Sequence, residues 1–345
     1  MDKIKLAIVG YGNVGKGVHK AIARNPDMEL TAVFSRNVVR TSKELKQLGS
    51  RLEMTRIRDA CSELDRGVVR GNGWVDVAIL CGGSAKDLPE QGPSFARYFN
   101  TVDSFDTHAR IPEYFACMDK AARSKYDTIS IISAGWDPGT FSMNRVLAEA
   151  FIPGTKPRGF YGLSDKGGLS MGHSDAVRKI DGVQDARQYT HAIPAAIEPL
   201  RRGETPNLAP GDMHWRECYV VLKDDSPSER ARVTREIQSM PNYFAPYNTE
   251  VNFVSQKELT ERFSGDPHDG LVLAVGETGQ GHRALIEYRN EWASNPEATG
   301  SILVACARAN YRLQREGKVG AFTMLDIPPA YFSPRSREEL LKELM

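Results

Sequence analysis

The sequence predicts an α/β protein: an N-terminal Rossmann-type, doubly wound parallel sheet, followed by an α+β second lobe with a mixed or antiparallel sheet. Three observations predict it. The chain opens on an apolar run that enters a Gly-x-Gly-x-x-Gly turn and continues with helical spacing. Apolar runs then alternate with helical segments to about residue 155, the signature of βαβ units. From about residue 156, Gly and Pro become frequent and the texture changes. With 345 residues and 41% apolar content, the chain can bury more than one core. We read 1–155 as a dinucleotide-binding domain, 156–298 as a domain for substrate binding and dimerisation, and 299–345 as a segment packing back on the first domain.

The first element is the strongest. Ile4 to Val9 reads as a strand, Gly10-Tyr11-Gly12-Asn13-Val14-Gly15 as a tight turn, and Val18 and Ile22 mark the buried stripe of a helix. Gly10 permits the turn, Gly12 lets backbone approach a pyrophosphate, and Gly15 lets helix and strand pack closely. The pyrophosphate would rest on the unpaired N–H groups at the start of the helix. The competing reading is a glycine turn that needs positive φ and binds nothing. Glu29 to Phe34 is the second strand, followed by Ser35-Arg36-Asn37. An NAD site usually has Asp or Glu about 20 residues past the glycines, on the ribose 2′-hydroxyl. Ser35 and Arg36 suit a 2′-phosphate instead, so NADP is expected; the alternative for Arg36 is a solvated loop charge.

A polar segment, Arg40 to Asn72, precedes three further strands. Val75 to Cys81 ends in Gly82-Gly83-Ser84, Thr101-Val102-Asp103 is short, and Thr128 to Ser133 is clear. Ligands of open α/β sheets bind beyond the carboxyl ends of strands, which places Cys81, Gly82, Gly83 and Ser84 beside the cofactor. Asp87 has two readings. It precedes Leu88-Pro89 with Glu90 three residues on, as in a capping box, or it faces the nicotinamide and accepts hydrogen bonds from a substrate ammonium. In Ala134 to Gly139, Trp136 and Asp137 could wall an amino-acid pocket, or Asp137 could cap the helix through Phe141 to Ala150. In Gly168 to Ala176, successive N–H groups could hold a carboxylate, or a loop enters a helix capped by Ser174 or Asp175. His173 there reads as a hydrogen-bonded structural histidine rather than a base. Cys218 to Leu222 and Leu271 to Val275 are strands of the second lobe, and Thr299 to Leu313 is a long amphipathic helix. Thr190, Arg216, His268 and Asn295 carry no motif.

Composition excludes several classes. With 45 basic and 44 acidic residues the net charge is +1, so nothing points to nucleic acid or an anionic membrane. The longest apolar runs are strand-sized rather than membrane-spanning. The first strand follows Met1-Asp2-Lys3 directly, leaving no room for a signal peptide. Five cysteines without a C-x-x-C pair fit a reduced, cytoplasmic protein, and the seven histidines show no zinc-like spacing, so no metal is expected.

Taken together, the strings Ile8-Val9-Gly10-Tyr11-Gly12-Asn13, Phe34-Ser35-Arg36, Asp87-Leu88-Pro89-Glu90-Gln91, Thr101-Val102-Asp103, Gly135-Trp136-Asp137-Pro138-Gly139, Gly172-His173-Ser174-Asp175-Ala176, Met240-Pro241-Asn242-Tyr243-Phe244 and Gly320-Ala321-Phe322-Thr323 resemble the meso-diaminopimelate dehydrogenases over nearly the whole chain. The resemblance implies NADP-dependent, reversible oxidative deamination of the D-centre of meso-2,6-diaminopimelate. The products are L-2-amino-6-oxopimelate (in equilibrium with tetrahydrodipicolinate), ammonia and NADPH. It implies Asp87, Trp136 and Asp137 around the reacting centre, with the Met171-Gly172 backbone holding its carboxylate. Thr190, Arg216, His268 and Asn295 fall at the distal L-centre, and Gly12 to Val14, Ser35 and Arg36 at the cofactor. A homodimer is also implied. Asn37 stands where members often have a second Arg, and Met171 where many have Gln. The competing functions are a broader D-amino acid dehydrogenase, a related two-lobe pathway reductase, and a Rossmann protein that senses NADPH without turning it over.

Overall fold

In a computed structural model of the chain, residues 2–47, 49, 52, 57–58, 75–241, 243–263, 265 and 267–345 are described. Most of the polar segment from Arg40 to Asn72, and with it any role for that segment, lies outside the described residues. Two compact units are found: residues 1–143 with 296–345, and residues 144–295. The divisions fall at 143/144 and 295/296, where the sequence reading placed 155/156 and 298/299.

The first unit is built on β1 (Ile4–Val9), β2 (Met28–Phe34), β3 (Ile57–Arg58), β4 (Val77–Leu80), β5 (Asn100–Asp103), β6 (Ile129–Ile131) and, from the far end of the chain, β14 (Gly320–Phe322). All seven are parallel, in the order β14-β6-β5-β4-β1-β2-β3. A parallel sheet is covered on both faces, so its strands read as unbroken apolar runs. In β1, Leu6 and Ile8 face one core with Val18 and Ile22 of α1 (Asn13–Ala23) and Leu303, Val304 and Ala307 of α11 (Asn295–Arg315). Ala7 and Val9 face the other with Leu88 and Phe95 of α3 (Leu88–Ala96) and Tyr114 and Met118 of α4 (Ile111–Ala122). Helices α1 and α11 cross backbone to backbone. A Cβ at Gly17 would overlap the Pro296 carbonyl, and one at Gly300 would lie 2.5 Å from the Gly17 carbonyl carbon. β14 escapes sequence reading because its three residues are too few to show periodicity.

The second unit holds two sheets rather than the single one expected. β8 (Gly168–Leu169), β9 (Val183–Ala192), β10 (His214–Leu222) and β11 (Thr249–Phe253) form a mixed sheet, antiparallel except for the β10–β11 pair. β7 (Arg158–Tyr161), β12 (His268–Gly279) and β13 (His282–Trp292) form an antiparallel one. The mixed sheet packs Ala186, Cys218 and Val220 against Val177 of α6 (Met171–Arg178) and Val233 and Ile237 of α9 (Pro227–Ser239). The other packs Phe160, Leu271 and Leu273 on Ala196, Ile197 and Leu200 of α7 (Pro194–Arg201). Among the described residues no helix is long and apolar enough to cross a membrane.

Candidate active site

The three glycines of the first turn are required for three different reasons. Gly10 sits at φ +90°, its N–H donates to the Phe34 carbonyl at 2.9 Å, and a Cβ there would press to 3.2 Å on the Cys81 oxygen. Gly12 caps α1 with no side chain over the helix start, and a Cβ there would meet nothing within 4 Å. Gly15 allows no Cβ, which would overlap the Gly10 carbonyl. Tyr11 turns inward to bond His19 Nδ1 at 2.7 Å, so only its backbone faces the turn, while Asn13 is exposed and Val14 half-buried in the first helical turn. Open approach at Gly12 and uncapped N–H groups at the positive end of α1 fit a dinucleotide pyrophosphate.

Past β2, Ser35 is buried and its hydroxyl is shared with Thr41 Oγ1 at 2.7 Å and the Asn37 N–H at 3.2 Å. The Arg36 side chain is 79% exposed, and its Nη1 lies 3.6 Å from Asp87 Oδ1. The other Asp87 oxygen accepts the Gly83 N–H at 2.8 Å. Asp87 stands at the N-cap position of α3, but against the capping reading its side chain makes no helix-capping bond; its carboxylate lies with Gly83 and Arg36. Gly82 is packed on that side chain, since a Cβ would come 2.8 Å from the Asp87 Cβ. Ser84 Oγ accepts the Asp106 N–H at 2.9 Å, and burial pushes the Cys81 thiol far up.

Beyond β6 the chain makes a wide turn, Trp136–Thr140, before α5 (Phe141–Phe151). Thr140 N–H donates to the Gly135 carbonyl at 3.0 Å, and the Phe141 N–H closes on Trp136. Trp136 is buried against Phe141, ring centroids 4.4 Å apart. Asp137 is extended and half-buried, with its peptide to Pro138 cis.

In the second unit, register explains the unreadable residues. Thr190 lies opposite Gly168 on one side and opposite Arg216 on the other. Arg216 Nη1 donates to Thr190 Oγ1, and its guanidinium lies 4.1 Å from the centre of the Tyr247 ring. Arg216 is buried, its Nε has no hydrogen-bond partner, and among the described residues no carboxylate pairs with it. Burial lowers the Arg216 pKa, with Tyr247 opposing it. Gln188, fully buried, donates to Thr190 Oγ1 at 3.3 Å. His268 stands over Gly168, where a Cβ would come 2.6 Å from its Nδ1.

Helix α6 starts at Met171. Its cap is Ser170, which accepts the His173 N–H at 3.4 Å, not Ser174 or Asp175 as the sequence suggested. A Cβ at Gly172 would meet nothing within 4 Å. His173 Nδ1 bonds Ser170 Oγ at 2.6 Å, and burial, then Arg216 and His268, push its pKa down to about 3. His173 is therefore neutral, with the His214 pKa likewise lowered to about 3 by burial and Arg216. Asn295, half-buried, opens α11 at the edge of this unit.

Three residues escaped the sequence reading. Asp106 is the exposed carboxylate in the loop after β5, and β5 lies between β4 and β6. The rule of strand-end loops could have found it. Gln188 and Tyr247 had no local signal, because only register and tertiary packing bring them to Arg216.

Residues 135–294 match the family model of the diaminopimelic acid dehydrogenase C-terminal domain. The chain is 49% identical to a meso-diaminopimelate D-dehydrogenase of Ureibacillus thermosphaericus, over 345 residues and all of both chains. Among solved structures it resembles the diaminopimelate dehydrogenase of Corynebacterium glutamicum in complex with diaminopimelate, at TM-score 0.88 and 38% identity over all of both chains. It also resembles an engineered D-amino acid dehydrogenase bound to NADP+, at TM-score 0.83 and 37% identity, covering 99% of this chain and 100% of that one.

Proposed function

We propose that this chain, a member of the meso-diaminopimelate D-dehydrogenase family, holds its cofactor on the first unit and a substrate carboxylate at Arg216 of the second. The reaction is the reversible, NADP-dependent oxidative deamination of the D-centre of meso-2,6-diaminopimelate, giving L-2-amino-6-oxopimelate and ammonia. Bound NADP supplies the hydride acceptor. Gly10, Gly12, Asn13, Val14 and Gly15 hold its pyrophosphate, Ser35 and Arg36 the ribose phosphate, and Cys81 to Ser84 the strand end beside it.

One observation carries the substrate assignment: Arg216 is a buried guanidinium whose Nε is unpartnered and which, among the described residues, pairs with no carboxylate. An uncompensated buried charge is costly, whereas a substrate carboxylate would satisfy it with charged hydrogen bonds. His173 and His214 are held neutral beside it, so they bring no charge to compete with Arg216 for that carboxylate. Thr190 Oγ1 already accepts from Arg216 and Gln188, so its own hydroxyl proton is directed elsewhere, to the same carboxylate. His268 and Asn295 complete the binding of the distal L-centre.

In the first unit Trp136 forms an apolar wall and Asp137 orients the substrate amino group and takes its proton; in the second unit the N–H groups of Met171 and Gly172 hold a carboxylate. Asp106 is the second carboxylate we assign to that proton. Asp87, already bound by Gly83 and Arg36, serves the ribose-phosphate end instead. We further propose a cytoplasmic homodimer, since the second unit exposes Val146, Leu147 and Phe151 of α5 and Leu285 and Tyr288 of β13. Light scattering at twice the chain mass checks it.

The enzyme incubated with NADP and meso-, LL- and DD-diaminopimelate, D-alanine and D-phenylalanine tests the reading through NADPH absorbance. Oxidation of the meso isomer far above the rest is expected. Comparable rates on simple D-amino acids would favour the broader dehydrogenase, to which the apolar Met171 side chain is suited. NADPH binding without turnover of any of them would favour the sensor.

A further inference from the structure

One fully buried carboxylate of the first unit, with three hydrogen-bond donors around it, takes no part in the chemistry above. Asp103, at the end of β5, is fully buried. Its Oδ1 accepts the Phe105 N–H at 3.0 Å and the Ser133 N–H at 3.1 Å, and its Oδ2 accepts the Tyr114 hydroxyl at 2.9 Å. Its backbone carbonyl takes the Ala134 N–H at 2.8 Å. Tyr114 stacks on Phe105 with centroids 4.1 Å apart, and Gly92 of α3 leaves room for the Tyr114 hydroxyl, which a Cβ there would overlap. Ser133 is held at φ +53°, a conformation uncommon for a residue other than glycine. It stands three residues before Trp136.

We infer that Asp103 is a positioning residue, with Tyr114 as its support, that sets the Trp136–Asp137 loop and the Asp106 loop for work on the D-amino acid centre. The inference rests on the assignment of those loops to the D-centre. One side chain joins the ends of β5 and β6 to α4, and the bond from Asp106 N–H to Ser84 Oγ carries the connection on to the loop after β4. Two backbone donors and one hydroxyl surround two oxygens, and a carboxylate accepts from all three. Burial nonetheless pushes its pKa up to about 6, against the hydrogen bonds that favour its charge. A residue whose charged form the fold disfavours is a poor choice for stability and a good one for fixing a single loop geometry.

The test compares Asp103→Ala, Asp103→Asn, Tyr114→Phe and Asp137→Asn in the full-length enzyme. The readouts are kcat on meso-diaminopimelate, the isotope effect with deuterium at the reacting carbon, and NADPH affinity by fluorescence. Asp103→Asn keeps the oxygen facing both backbone N–H groups, and the Tyr114 hydroxyl can rotate to accept, so its kcat should stay within about five-fold of the parent. Asp103→Ala should lose about 100-fold in kcat, the scale of a 1 Å misplacement, with NADPH affinity within about two-fold and an increased isotope effect. Tyr114→Phe should lie between, which keeps the test decisive if Asp103→Ala fails to fold. A parental kcat in Asp103→Ala, or in Tyr114→Phe when the alanine variant is insoluble, would overturn the inference. So would a parallel loss of kcat and NADPH affinity, the mark of general unfolding. If Asp137→Asn keeps full turnover, the assignment of the loop itself is at fault, whatever Asp103 does.

Discussion

The two units present functional groups in opposite ways. In the first, they sit in loops beyond parallel strands and are held by backbone: Gly10 by the Phe34 carbonyl, Ser84 by the Asp106 N–H, the Trp136 turn by Gly135. In the second, Thr190 and Arg216 sit within strands, and adjacent register sets their spacing. Loops suit a cofactor whose phosphates are read by N–H groups, while strand interiors suit a buried charge that must not move. The comparison implies that substitutions in the second unit act on the substrate alone, and those in the first on the cofactor or on turnover.

The largest expected effect is at Arg216. Replacing it with Met removes a charged contact to the distal carboxylate at similar volume. Two hydrogen bonds to a charged group, at about 1.5–3 kcal/mol each, put the loss of kcat/KM near a thousand-fold. NADPH affinity, measured by fluorescence titration, should stay within about two-fold. Weakened NADPH binding in this variant would break the division of labour.

Next come the glycines. Gly15→Ala forces a methyl into the Gly10 carbonyl, so both thermal stability and NADP affinity should fall. Gly12→Ala meets open space, so Tm should hardly move while KM for NADP rises as the methyl enters the phosphate approach. Equal Tm losses in the two would show that Gly12 is a structural glycine only.

At the same sheet edge, Arg36→Ala should raise KM for NADP by roughly 10- to 100-fold with little effect on NAD, the size of one charged hydrogen bond. Asp87→Ala breaks an exposed pair, commonly worth about 0–1 kcal/mol. Its kcat should stay within about three-fold and its effect should fall on KM for NADP. A collapse of kcat in Asp87→Ala would return that carboxylate to the D-amino group.

Legibility from sequence follows the same divide. Strand β1 was readable to the residue because a strand covered on both faces must be continuously apolar, and the glycine turn because its backbone needs are local. The loop strings around Trp136 and Met171 were visible as candidates, but the cap of the second was misread. The cap of α6 is Ser170, and Asp137 sits in an extended segment before α5. The link between Asp87 and Arg36 was invisible because 51 residues separate them in the chain. Arg216 and Thr190 have polar side chains facing inward from otherwise ordinary strands. Only the pairing of β9 with β10, and the burial of that face, brings them together. β3 and β14 are too short for periodicity to detect.

The smallest expected effect probes how His173 stays neutral beside Arg216. His173 has its pKa lowered from the ordinary 6.5 to about 3, first by burial and then by Arg216 and His268. The folded chain therefore keeps it neutral where the unfolded chain binds a proton. Its contribution to stability is complete above pH 6.5 and is lost progressively as pH falls from 6.5 toward 3. His173→Asn removes that proton uptake, while its amide can still bond Ser170. Stability against pH between 6.5 and 4 should fall less steeply in the variant, by at most about 1.4 kcal/mol per pH unit, the value of one proton. Urea midpoints across that range measure it. His214, lowered by the same burial, remains in both proteins and cancels in the comparison. Parallel slopes would mean that His173 is already charged beside Arg216, and the cluster would then attract a second anionic group rather than a single carboxylate.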